Sequence, residues 1–236
     1  MRQQSIDEVL NAFPKQRPIL PDEYKAIYDK HFYENRNGLT SVTKASSQLE
    51  KWLHYKAAQT VTKGKTLEIG AGSLNQFDYE KKLGIYDIVE PYHLIYEHSK
   101  YIHLVDHFYD DISEIDKNNQ YDRIISIATF EHILNLPEVV YSSAQLLTPD
   151  GVLAVSIPNE GRFLWKFAYT NTTGREFRKR YGLDYNIIMA HEHVNSADEI
   201  ETILRHNYKD VKYKLFGISK ELSFYRFYIC RCPIKH

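Results

Sequence analysis

Two glutamates each sit at the end of a short apolar run. Glu68 stands in "KTLEIG", two residues before Gly70 of the turn "GAG", and Glu90 ends "YDIVE", eighteen residues beyond Gly72. Gly70, Ala71 and Gly72 would let the backbone come close to a ligand, which a bulky side chain would forbid. A carboxylate at 68 would be costly to bury beside such a turn without a cationic or donor-rich partner. Glu90, at the tip of a second strand, suits the two hydroxyls of a ribose. Asp110 and Asp111 in "YDDISEI" could each accept from an adenine amine, or either could cap a turn. A pyrophosphate loop would carry its last glycine at position 75, where Asn75 stands, and would not welcome Glu68. A nicotinamide oxidoreductase is therefore disfavoured.

Histidines supply the second chemistry. His132 in "FEHI" and His191 with His193 in "HEHV" could take a proton from a hydroxyl, since imidazole titrates near neutrality. Glu192 lies between the last two and could orient one of them. Each of these histidines also reads as an ordinary packed side chain.

Such residues need elements to position them. From Lys65 onward, "KTLEIG", "YDIVE", "IHLVD", "YDRIISIA" and "GVLAVSIP" are β-branched runs separated by segments long enough for crossover helices. Continuous apolar strands spaced in this way imply a parallel sheet covered on both faces. "NSADEIETILRHN" opens a helix with a capping box, Ser196 with Glu199. "VKYKLFGIS" and "SFYRFYICRC" are too close together for a crossover and should pair antiparallel at the edge.

The whole chain, at 236 residues, fits one large α/β domain with an appendage. A composition 43% hydrophobic and 26% charged, with a net charge of −1, is that of a soluble globular protein, and no apolar run is long enough to cross a bilayer. The N-terminus lacks an apolar signal core, so a cytoplasmic location is expected. Cys230 and Cys232 supply no disulfide framework and read as two thiols on one strand face. No metal site is expected, because the eleven histidines show no spacing that would complete a zinc site with them. Near neutrality of charge, without a large basic face, argues against nucleic acid.

Taken in order, "LEIGAGS", "VEP", "DDI", "YDRIISIATFEHI", "LLTPDGVLAVSIPN" and "HEHVNSADEIETILRHN" resemble the class I S-adenosylmethionine-dependent methyltransferases, particularly the small-molecule group called type 11 or 12. The likeness spans roughly residues 65–232. It implies an α/β fold: a Rossmann-like, doubly wound, mostly parallel seven-stranded sheet with an antiparallel C-terminal strand. It implies S-adenosyl-L-methionine as cofactor, with Glu68, Gly70, Ala71 and Gly72 facing the methionine part and Glu90 the ribose. Asp111 with Ile112 would face the adenine, Thr129 and Phe130 would line the other side, and Pro91 and Asp110 complete the expected cofactor set. Two departures stand out: Leu74, where many members carry a third glycine, and Asp150, which replaces a glycine in "TPDG".

On this basis residues 61–236 form the methyltransferase domain, with a substrate-cap insertion at about 159–193. Residues 1–60, rich in proline turns, form a helical appendage or lid. The insertion interleaves six Lys or Arg with aromatics over residues 160–185, which would suit an anionic acceptor. In the appendage, "LEKWLHYK" places Leu49, Trp52, Leu53 and Lys56 on one helical face, and this helix, with Glu50 and His54, would close over the cofactor. The expected activity is methyl transfer to a small-molecule or glycan-like acceptor at a hydroxyl oxygen. N-methylation and a non-catalytic cofactor-binding protein are the alternatives.

Overall fold

The central strands are rich in apolar residues, and in the fold both of their faces are covered. A computed structural model describes residues 5–28, 44–60, 62, 64–81 and 84–234, the side chains of 44–49 excepted. Its sheet comprises β1 (Thr66–Ile69), β2 (Tyr86–Val89), β3 (His107–Tyr109), β4 (Tyr121–Ile127), β5 (Leu147–Pro158), β6 (Tyr208–Gly217) and β7 (Ser223–Pro233). The strand order is β3-β2-β1-β4-β5-β7-β6. β1 to β5 are mutually parallel, and β7 runs antiparallel to both neighbours. This is the expected doubly wound sheet, whose order reverses between β1 and β4 and so opens a crevice there.

Among the helices of the described residues that surround it are α1 (Ile6–Leu10), α2 (Lys44–Ala58), α3 (Leu136–Leu146), α4 (Phe163–Asn171), α5 (Thr173–Tyr181), α6 (Tyr185–Glu192) and α7 (Ala197–Asn207). α2 lays Leu53 and Ala57 on one sheet face, against Ile125, Ile127, Ala154 and Phe227. α3 and α7 cover the other, where Val140, Ala144, Ile200 and Leu204 meet Leu67, Ile124, Leu153 and Val155. The Ser196–Glu199 capping box starts α7 as its sequence predicts.

The segment before α2 takes a different course. Ser5 and Glu8 cap α1, whose Val9 joins the core beneath α3 and α7. Leu20 and Tyr24 then join Phe177 and Ile188 in a small separate core, so this later stretch braces the insertion. "NRNG" and Leu49 lie outside the residues, or side chains, that are described.

Three expectations need correction. "IHLVD" is not the third strand: residues Ile102–Leu104 form a 3-10 turn and β3 follows at His107–Tyr109. The apolar run misleads because β3 is an edge strand with little burial, while Ile102 and Val105 pack on the core from the turn. The links from β1 to β2 and from β2 to β3 carry only 3-10 turns among their described residues, not crossover helices; Phe77, Tyr96 and Ile102 of those links pack with Tyr86 and Ile88 of β2 in their place. Finally, Cys230 is buried and Cys232 exposed. A left-handed φ of 55° at Cys232 breaks the alternation that would have put both on one face.

Candidate active site

The carboxyl ends of β1, β2 and β4 open into a cleft of about 510 Å³. Its floor depends on close approach. Gly70 has φ 72°, and a Cβ there would lie 2.3 Å from the Thr129 hydroxyl, so glycine lets the loops after β1 and β4 meet. Gly72 also takes a left-handed φ, of 52°, and its N–H donates to Glu90 Oε2 at 2.9 Å. Tyr92 N–H donates to Glu90 Oε1 at 3.1 Å. Each Glu90 oxygen thus accepts one backbone hydrogen and keeps a further lone pair, a donor-seeking pair suited to a diol.

Leu74 is explained by the same loop. It adopts φ 66° where a glycine would be easier, yet its side chain is fully buried beside Phe77 and Tyr86. Left-handed backbone costs a non-glycine residue about 1–2 kcal/mol. Burying a leucine returns about 1.5–3 kcal/mol, enough to hold it there.

Glu68 lines the cleft but has found a partner inside the protein, the Tyr86 hydroxyl, which donates to Oε2 at 2.7 Å. Burial pushes its carboxyl up to about 8, and the Tyr86 hydrogen bond only partly opposes this. Ala71, Pro91, Asp110, Asp111, Ile112 and Thr129 line the same cleft. Asp111 Oδ1 also accepts from Ser113 N–H at 2.9 Å, and Asp110 pairs with His93, so each has a structural task as well. Phe130 lies apart from these residues: it is wholly buried in the core beneath α3 and α7.

α2 contributes Glu50, Leu53 and His54 to the cleft wall. Trp52 instead turns to Phe216, edge to face at 5.3 Å. His54 Nδ1 donates to Gln76 Oε1 at 2.9 Å, Gln76 Nε2 donates to Glu80 at 2.7 Å, and Arg123 Nη1 donates to the same Glu80 oxygen at 3.0 Å. This relay ties the helix to the sheet. Burial holds the His54 pKa below the usual histidine value.

The three predicted histidines separate. His132, on the 3-10 turn after β4, lines the cleft. His193 lies directly behind it, ring centroids 4.8 Å apart. His191 bonds the Pro18 carbonyl at 2.7 Å and is not among the residues lining the cleft. Glu192 orients His132 rather than either neighbour, its carbonyl 2.9 Å and its Oε2 3.2 Å from Nδ1. Glu160 holds His193 Nδ1 at 2.9 Å and accepts from the Trp165 indole at 2.6 Å. Burial alone would lower the His193 pKa, but the Glu160 hydrogen bond and the charges of Glu131, Glu160 and Glu192 raise it overall. Glu131 and Glu160 were missed from sequence; an acid at each of two strand ends was the available signal.

The insertion reaches the cleft only indirectly. None of residues 159–193 is among the residues lining the cleft, but Glu160, Trp165 and His193 form the wall behind His132. Its aromatics Phe177, Tyr181 and Tyr185 pack the small core with Tyr24, which is why they alternate with exposed cations.

A seven-stranded sheet of this order, with a glycine turn after β1 and an acid at the tip of β2, defines the class I S-adenosylmethionine-dependent methyltransferase fold. A family model described as a methyltransferase domain matches residues 42–208. The chain belongs to that family and is an S-adenosylmethionine-dependent methyltransferase. Comparison with curated proteins gives no significant match. Among solved structures, a plantazolicin methyltransferase in complex with a pentazolic desmethyl analogue and S-adenosylhomocysteine (SAH) is 13% identical at a TM-score of 0.61, with 98% of this chain and 99% of that one covered. A methyltransferase from Thermotoga maritima, described as a possible histamine N-methyltransferase, is 14% identical at 0.53, covering 89% and 98%. The carbon methyltransferase CurJ is 15% identical at 0.54, covering 90% and 61%.

Proposed function

We propose that the enzyme methylates a hydroxyl oxygen of a small acceptor bound between the glycine turn and His132. The observation that carries this is the polar cluster at one end of the cleft: His132 faces it, backed by Glu131, Glu192, His193 and Glu160. The neighbours named above include N- and C-methyltransferases, so the fold does not select the accepting atom; this cluster favours one whose proton must be removed.

Bound S-adenosylmethionine supplies an electrophilic methyl group on a sulfonium. Glu90, held by Gly72 and Tyr92, would accept from the ribose hydroxyls, and Gly70 to Gly72 would admit the methionine part without side-chain interference. Asp110, Asp111 and Ile112 would border the adenine, and Thr129 would form the opposite wall. Glu68, costly to ionise alone, gains from a cation nearby. The α2 wall excludes water, and the cluster around His132 receives the acceptor hydroxyl and draws off its proton. Holding the acceptor in line with the methyl group then supplies much of the rate, as it does for displacements generally. The acceptor is small-molecule or glycan-like.

Transfer from labelled cofactor to hydroxylated acceptors tests the reading. Glu90→Ala should weaken SAH binding by about 2 kcal/mol, within the range for hydrogen bonds to a charged group. His132→Ala should leave SAH binding intact and cut kcat at least about 100-fold, the lower range for a lost acid–base group. A labelled N-methyl or C-methyl product, or wild-type turnover in His132→Ala, would overturn it.

A further inference from the structure

We infer that Glu131, His132 and His193 form a binding site for one divalent transition-metal cation at the acceptor end of the cleft. Their ligand atoms lie within 4.8 Å of one another, with Glu131 Oε1 3.8 Å from His132 Nε2. A tetrahedral set at zinc–nitrogen and zinc–oxygen lengths would draw such atoms to about 3.4 Å, a contraction within reach of side-chain rotation.

The hydrogen bonds around the rings point the same way. His132 Nδ1 is held by the carbonyl and carboxylate of Glu192, and His193 Nδ1 by the carboxylate of Glu160. A ring that donates from Nδ1 to a carboxylate keeps its lone pair on Nε2, with its basicity raised and its orientation fixed. Two rings are prepared in this way by two different carboxylates, while a third carboxylate, Glu131, buried at 1% exposure, faces them. Trp165 donates to the same Glu160 oxygen, Oε2, and stacks over His193, which fixes that partner in turn.

The donor types select the ion. Two imidazoles and one carboxylate suit zinc or cobalt, whereas magnesium and calcium take oxygen ligands. Three protein ligands leave a coordination position open, the arrangement of catalytic rather than structural zinc sites. His132 lines the cleft, so that position faces it. Its use, holding an acceptor oxygen beside the methyl donor, rests on the function proposed above; the binding itself does not.

The test uses the full chain, stripped with a chelator and titrated with Co²⁺ by visible d–d absorption and with Zn²⁺ by calorimetry, in the absence of any acceptor. One equivalent should bind with a Kd below about 10 μM. His132→Gln and His193→Gln should each weaken it at least about 100-fold, and Glu160→Gln or Glu192→Gln about 10- to 100-fold. SAH binding by the same samples shows that the fold persists. A wild-type Kd above about 1 mM, or unchanged Co²⁺ binding in SAH-competent His variants, would overturn the site. Failure of the wild type to bind SAH would instead overturn the methyltransferase reading and leave the metal result standing.

Discussion

Glu68, enclosed at the carboxyl end of β1, ionises at about 8 rather than 4.5 because burial outweighs the Tyr86 hydrogen bond. The fold therefore keeps a proton that the unfolded chain releases. The stability tied to that proton is complete below about pH 4.5 and is lost as pH rises through about 8. Glu68→Gln keeps an acceptor for Tyr86 and removes the titration. Without cofactor, it should match the wild type at pH 5 and exceed it at pH 8.5 by roughly 2–5 kcal/mol, each pKa unit being about 1.4 kcal/mol. Urea unfolding at the two pH values checks this; a difference that does not change with pH would refute it. The sequence made Glu68 conspicuous by its place before the glycines. It could not show Tyr86, eighteen residues on, because that contact exists only once β2 lies beside β1.

At the scale of elements, α2 is a structural layer as well as a wall of the cleft. Leu53 is buried against β4 and β5, and the next residue joins the relay to Gln76. Leu53→Ala should lower global stability by about 2–5 kcal/mol, the usual cost of a buried leucine, and should weaken SAH binding as well. A detachable lid would lose affinity without loss of stability, so an unchanged unfolding midpoint would show α2 to be one. The amphipathic pattern of "EKWLHYKAA" made the helix legible, but not its place. The stretch around Leu20 and Tyr24 and α2 serve different parts of the molecule, one bracing the insertion and the other roofing the sheet. Strands β1, β2, β4 and β5 were readable because burial on both faces makes them rich in apolar, β-branched residues. β3 was not, since an edge strand carries no such mark.

Across the whole molecule, Arg123 and Glu80 form an ion pair with both side chains fully buried, and it joins β4 to the turn after β1 and, through Gln76, to α2. Removing one partner of such a pair strands a charge. Arg123→Met should cost about 3–5 kcal/mol, whereas the double variant Arg123→Met with Glu80→Leu should recover most of it, since apolar replacement of a buried pair is often neutral. A double variant no more stable than the single would show that the pair's geometry, and not its uncompensated charge, sets the cost.

What the sequence determined by itself was the architecture and the cleft wall built from the glycine turn and the strand-tip acids. Those features are local: apolar runs that want burial on two faces, a glycine turn, and acids one strand apart. Only the tertiary structure decided the surroundings of His132. There His132 is oriented by Glu192 and His193 by Glu160, and the sequence offered no metal spacing because His193 comes from a segment far from the adjacent Glu131 and His132. Phe130 and His191, beside residues of the cleft in sequence, point elsewhere because one is drawn into the core and the other to Pro18. Which side chains converge across three loops is set by the packing of the elements beneath them, and that packing is a property of the whole chain.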